Sequence, residues 1–159
     1  MPEFVMEGRD HAARAESPFV CGFIEALFFT ECSPAYCAEE WFSDECRRAV
    51  EEGQSDGSLP GDVGYMDIHP DSLRRIREFC GQKQGEMADL LALAYERDGY
   101  DETQAGRDLW FTYNGHGVGY WDRKQLDADG LGNDLTEHCG RGEINPYFGE
   151  DSFVYVDLY

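Results

Sequence analysis

A single histidine, His116, lies in the stretch DLWFTYNGHGVGYWD (residues 108–122), among five aromatic residues and three glycines. An imidazole titrates near neutral pH and serves as a general base or acid when a neighbouring group orients it. Asp108 and Asp122 are the carboxylates at the two ends of this stretch, and serine and cysteine nucleophiles occur elsewhere. No spacing selects one of them as a partner. The glycines suggest a second chemistry, a phosphate cradle, but that needs a strand, a glycine-rich turn and a helix start in succession. The order here is Gly115-x-Gly117-x-Gly119, and residues with strand-like alternation follow it. A third reading involves no chemistry. Asn114-Gly115 between two aromatic, alternating runs is a strong hairpin signal, and the spacing predicts a tight hairpin with Phe111 and Tyr120 buried.

Metal chemistry has three candidate segments. In DADGLGND (residues 127–134), Asp127, Asp129 and Gly132 fit positions 1, 3 and 6 of a calcium loop. Leu131 and His138 occupy positions 5 and 12, where oxygen ligands are required, so a solvated turn is expected. Cys32, Cys37 and Cys46 lack the paired CxxC spacing of a structural zinc site. The run Asp67-x-His69-Pro70-Asp71 either ligates a metal or ends a loop, and the loop is the expectation. The reading assigns no cofactor, no metal and no catalytic residue.

The charge is the strongest signal. With 33 acidic and 13 basic residues the formal net charge is −20. Such a body repels nucleic acid and anionic membranes and attracts basic surfaces. Three tryptophans, nine tyrosines and ten phenylalanines supply enough apolar area for a packed core. The carboxylates therefore belong to the surface of a folded domain. Two lysines against eleven arginines also fit a halophile or a GC-rich gene, in which case the acidity has no partner.

These groups need elements to position them. Residues 19–30 are apolar on both faces and read as a central strand. Residues 39–51 fit a helix with acids outward, and residues 53–64 an exposed loop. Residues 71–97 keep a helical period, capped by Asp71 or Ser72 and weakened at Gly81 and Gly85. A short helix over 102–107 leads into a strand over 109–113. A last helix is expected over 131–139, and a hairpin from 144–148 and 153–158. The sum is an α+β fold, an antiparallel sheet of about five strands with helices packed on one face. Residues 1–18 read as a flexible N-terminus and 19–159 as a single domain. No secretory signal is evident, so reduced thiols in a cytosol are expected.

The segment AGRDLWFTYNGHGVGYWDR, with LGNDLTEHC and VYVDLY after it, resembles an uncharacterised family of small proteins encoded by phages and other mobile elements. The resemblance covers most of residues 20–159 and is most specific over 106–123. It implies a phage context and no catalytic residues. Joined to the charge, it leads to an expected function: an acidic, non-enzymatic inhibitor in the host cytoplasm. It would mimic nucleic acid at the basic channel of a host defence protein, such as a CRISPR effector or a restriction enzyme. It would contact neither nucleic acid nor membrane directly. The expected contact residues are Glu39, Glu40, Asp44, Glu45, Glu51, Glu52, Glu96, Asp98, Asp101 and Glu102. The alternatives are a small enzyme using His116 with a nearby carboxylate, and an acidic accessory protein without mimicry.

Overall fold

Helix α1 (Pro18–Glu31) starts where the Ser17 hydroxyl accepts from the Val20 N–H at 3.3 Å and Pro18 presets a helical φ. The computed structural model describes residues 15–33, 59–60 and 63–158. The expected helix over 39–51, most of the loop over 53–64 and residues 1–14 of the expected N-terminal arm lie outside the described residues. Glu16 accepts from the Tyr65 hydroxyl at 2.7 Å and from Arg77 Nε at 2.9 Å, which ties the entry of α1 to the next helix.

Residues 19–30 are thus helical, not a strand. Nine residues of α1, from Phe19 to Phe28, are buried. A helix covered on all sides keeps no polar stripe, so its sequence reads like an inner strand.

Helix α1 leads into β1 (Cys32–Ser33), which pairs in parallel with β2 (Leu59–Pro60). Helix α2 (Pro70–Glu86) is capped by His69, whose Nδ1 accepts from the Asp71 N–H at 3.1 Å, rather than by Asp71 or Ser72. Helix α3 (Ala88–Tyr95) follows after a break at Met87, which has φ −109° and ψ 17°. The break does not fall at Gly81 or Gly85, the two weak points of the pattern. Both glycines face open space and continue the helix, while the Met87 side chain is buried where the chain turns.

Helix α4 (Glu102–Tyr113) is capped by Asp101, whose Oδ1 accepts from the Gln104 N–H at 2.8 Å. It absorbs both the expected short helix and the expected strand over 109–113. Asn114-Gly115 is a helix stop here, not a hairpin turn. Gly115 has φ +72°; its N–H reaches the Thr112 carbonyl at 3.2 Å and the His116 N–H reaches Phe111 at 2.9 Å. That is the paired C-terminal motif in which a left-handed glycine closes a helix. Phe111 and Tyr120 are buried as expected, though for a different reason.

The Gly115→Val variant should therefore lose roughly 1–3 kcal/mol in a denaturant melt, because a β-branched residue resists positive φ. Gly117→Val should lose much less, since a Cβ there meets nothing within 4 Å. Equal losses at the two positions would refute the assignment of Gly115 as the helix terminator.

Three short 3-10 turns over residues 120–130 lead to α5 (Leu131–Cys139), with the bounds expected from its pattern. β3 (Asn145–Phe148) and β4 (Val154–Asp157) form the expected antiparallel hairpin, with Tyr147 opposite Tyr155. The fold mixes helix and strand, but the sheet of about five strands is not found. Among the described residues there are two sheets of two strands each. Two of the predicted strands belong to buried helices.

The core is centred on α1 and α4. Gly22 and Gly106 bring the two backbones together, and Trp110 Nε1 donates to Thr30 Oγ1 at 2.8 Å. Arg107 Nε donates to Glu25 Oε2 at 2.8 Å across the same contact. Helix α2 joins the hairpin, with the Ser72 hydroxyl accepting from the Val156 N–H at 3.1 Å. Among the described residues no helix is long and apolar enough to cross a membrane.

Candidate functional site

His116 follows the end of α4 and borders an open hollow of about 260 Å³ with Thr112, Gly115, Trp121, Thr136 and Arg141. Its ring lies against Trp110 (6.5 Å between centroids) and edge-on to Phe111 (6.0 Å). Among the described residues no carboxylate is hydrogen-bonded to the imidazole. Asp108, one of its two sequence neighbours, points into the core. Asp122 is exposed, and its own N–H closes a 3-10 turn onto the Gly119 carbonyl at 3.0 Å. Among the described residues, then, His116 has no hydrogen-bonded carboxylate to orient it.

Asp108 instead anchors a buried polar network. Its carboxylate is fully buried and meets the Arg123 guanidinium at 2.6 Å (Nη2) and 2.9 Å (Nε). Tyr100 donates its hydroxyl to Asp108 Oδ2 at 2.9 Å, and Gln104 Nε2 donates to Oδ1 at 3.2 Å. Burial pushes the Asp108 carboxyl above the usual carboxylate range, and the Arg123 fork is the strongest opposing pull. The network ties the turn before α4, α4 itself and the 3-10 turns into one unit.

An acidic face is mounted on that unit. Glu96, Asp98, Asp101 and Glu102 are exposed on the corner between α3 and α4. Arg97 crosses from this corner to the 3-10 turns, where it donates to the Gln125 carbonyl at 3.4 Å and the Ala128 carbonyl at 3.2 Å. This sets Asp127 and Asp129, also exposed, beside the corner. Among the described residues none of these six carboxylates forms an ion pair. The contrast with the cations is sharp, since Arg77, Lys83, Arg107 and Arg123 each hold a carboxylate. Arg97 spends its charge on carbonyls. The corner's field reaches inward: burial pushes the Tyr95 phenol up to about 12, and Glu102 and Asp101 add to the shift.

Four of the ten carboxylates expected at the contact surface are therefore brought together. Glu39, Glu40, Asp44, Glu45, Glu51 and Glu52 lie outside the described residues. Asp127 and Asp129 join the face although their sequence suggested only a failed calcium loop. Their partner, the 96–102 corner, is about 30 residues away, so no local pattern could have indicated the pairing.

Among the described residues no group of three or more His, Cys, Asp or Glu side chains could hold a metal. Asp67 Oδ2 accepts from the Gly64 N–H at 2.8 Å, and His69 caps α2, so that run shapes a loop. Cys21, Cys80 and Cys139 are buried outside any disulfide, and burial pushes the Cys139 thiol up to about 12. Comparison of the chain with protein-family models, curated proteins and solved structures finds no match.

Proposed function

We propose that this protein is an acidic binding protein that occupies the basic nucleic-acid channel of a partner, as a mimic of nucleic acid. The observation that carries the reading is the set of six carboxylates on the Arg97-bound corner, none of them paired with a cation among the described residues. Unpaired acids at the surface of a net −20 body leave their field free to act on a partner. A channel that grips phosphates through lysine and arginine gains affinity from charge with little sequence information. Carboxylates held on a rigid corner satisfy the same contacts. The sequence resemblance to phage proteins favours a host defence protein, a CRISPR effector or a restriction enzyme, as the partner in the host cytoplasm. Under this reading the protein is not an enzyme.

The test uses charge reversal. Single changes such as Asp101→Lys should weaken binding little, because an exposed pair contributes about 0–1 kcal/mol. The quadruple change of Glu96, Asp98, Asp101 and Glu102 to lysine should weaken it far more, and wild-type affinity should fall steeply with salt. DNA or RNA should compete for the partner. A complex that survives the quadruple change, or forms alongside bound nucleic acid, would overturn mimicry. Activity lost only in His116→Ala would favour an enzyme instead.

A further inference from the structure

The hairpin carries a second surface that charge alone does not explain. Along β3 and β4 the burial alternates, so Pro146, Val154 and Val156 face the core while Tyr147 and Tyr155 face outward as direct cross-strand partners. Their rings stack with centroids 5.3 Å apart and an interplanar angle of 13°. On the other side of β4, Ile68 bridges to Val154, and the His69 N–H donates to the Val154 carbonyl at 2.9 Å. This puts the His69 ring on Tyr155, 4.9 Å between centroids and 20° from parallel. The three rings form a ladder across the sheet, with a repeat close to the spacing of neighbouring strands. Phe153 packs edge-on against His69 at 5.2 Å.

The ladder is rigid and partly exposed. Asp151 accepts a hydrogen bond from the Tyr155 hydroxyl, and the His69 Nδ1 is committed to capping α2. Gly149 leaves room for the Tyr155 ring, since a Cβ there would lie 2.8 Å from its edge. Tyr155 covers one face of Tyr147, yet Tyr147 remains 45% exposed, and Phe153 38%. A stack of aromatic rings open to water is suited to a planar partner group.

Charge selects which group. Asp71 lies 3.9 Å from His69, and Asp151 holds Tyr155. Asp157 sits two residues from Tyr155 on the same face of β4, diagonal to Tyr147, and adds to the negative charge around the ladder. A nucleobase would bring a phosphate toward these acids, and a second copy of the chain would bring another net −20. A guanidinium satisfies both demands, being planar for the ring and cationic for the acids.

We infer that the Tyr147–Tyr155–His69 ladder is an arginine-docking platform, on which a guanidinium of the basic partner extends the stack at Tyr147 in the field of the acids around the ladder. The inference rests on the basic-partner part of the proposed function and adds a preference that long-range charge cannot produce. An ammonium has the same charge but cannot lie flat on a ring, so the part of an arginine preference that depends on the Tyr147 ring reports the stack rather than charge.

The full-length protein is titrated calorimetrically with hexa-arginine and with hexa-lysine at physiological ionic strength. Hexa-arginine should bind roughly three- to fivefold more tightly. Tyr147→Ala should remove that preference, and Tyr147→Phe, which keeps the ring, should retain it. Quadruple reversal of Glu96, Asp98, Asp101 and Glu102 should weaken both peptides while leaving their ratio in place. Equal binding of the two peptides by the wild type, or a ratio that survives Tyr147→Ala, overturns the platform and leaves the acidic-face reading standing. Failure of both peptides to bind overturns the two readings together.

Discussion

Gly106→Ala should destabilise the protein by about 3 kcal/mol, even though alanine is the better helix former. A Cβ on Gly106 would lie 1.9 Å from the Phe19 carbonyl oxygen and 2.8 Å from its carbon. The reciprocal position behaves alike, since a Cβ on Gly22 would lie 2.0 Å from the Thr103 carbonyl oxygen. Both obstacles are backbone, so no side-chain rotation relieves them. The helices α1 and α4 must move apart by more than an ångström, which loosens the packing of Phe23 against Trp110 and the Trp110–Thr30 hydrogen bond. Gly81→Ala in α2 is the control. That site is exposed and open, so helix propensity acts alone and the change should stabilise by about 0.5–1 kcal/mol. Urea melts of the two variants should shift in opposite directions. A Gly106→Ala protein as stable as wild type would show that the α1–α4 crossing is wider than described.

This crossing also explains which parts of the fold the sequence revealed. Helix α5 and the β3–β4 hairpin have one wet face and one dry face, so polarity alternates with the correct period and their bounds are legible. Helices α1 and α4 form the centre of the core. Eight residues of α4 are buried, among them Trp110, Phe111, Thr112 and Tyr113. With both sides of that last turn covered, the aromatic spacing imitates a strand. The punctuation was nevertheless present. Ser17-Pro18 is a helix start, Asp101 is a cap, and Gly115 ends a helix as readily as it turns a hairpin. In a run without a polar stripe these boundary signals outweigh periodicity. The acidic face was legible only in part. Its 96–102 half is a local cluster, whereas Asp127 and Asp129 join it through the Arg97 side chain, a tertiary contact. The aromatic ladder is tertiary too, because His69 and Tyr155 lie far apart in the sequence and meet only through the fold.

Replacing Asp108 with leucine should cost about 3–5 kcal/mol, because it strips the Arg123 guanidinium of its carboxylate in a site where water cannot substitute. Asp108 is fully buried, and the Arg123 side chain is 10% exposed. The Tyr100 hydroxyl would lose its Asp108 acceptor in the same step, which adds to the cost. The energy of such a pair is not the cost of breaking it. Desolvation opposes the attraction, so a well-packed apolar pair of similar volume is often as stable. The double variant Asp108→Leu/Arg123→Met should therefore recover most of what Asp108→Leu loses, with Tyr100→Phe supplying the remainder. Denaturant melts of the single, double and triple variants separate the two contributions. If the double variant is less stable than Asp108→Leu by an amount near the Arg123 contribution alone, the two residues act independently and the network is not a unit. The network matters beyond stability, since it holds the α3–α4 corner to the 3-10 turns that carry the other half of the acidic face. Under the proposed function, Asp108→Leu should accordingly weaken partner binding even below the temperature at which it unfolds, whereas the double variant, in which a packed apolar pair again joins the corner to the turns, should bind nearly as wild type.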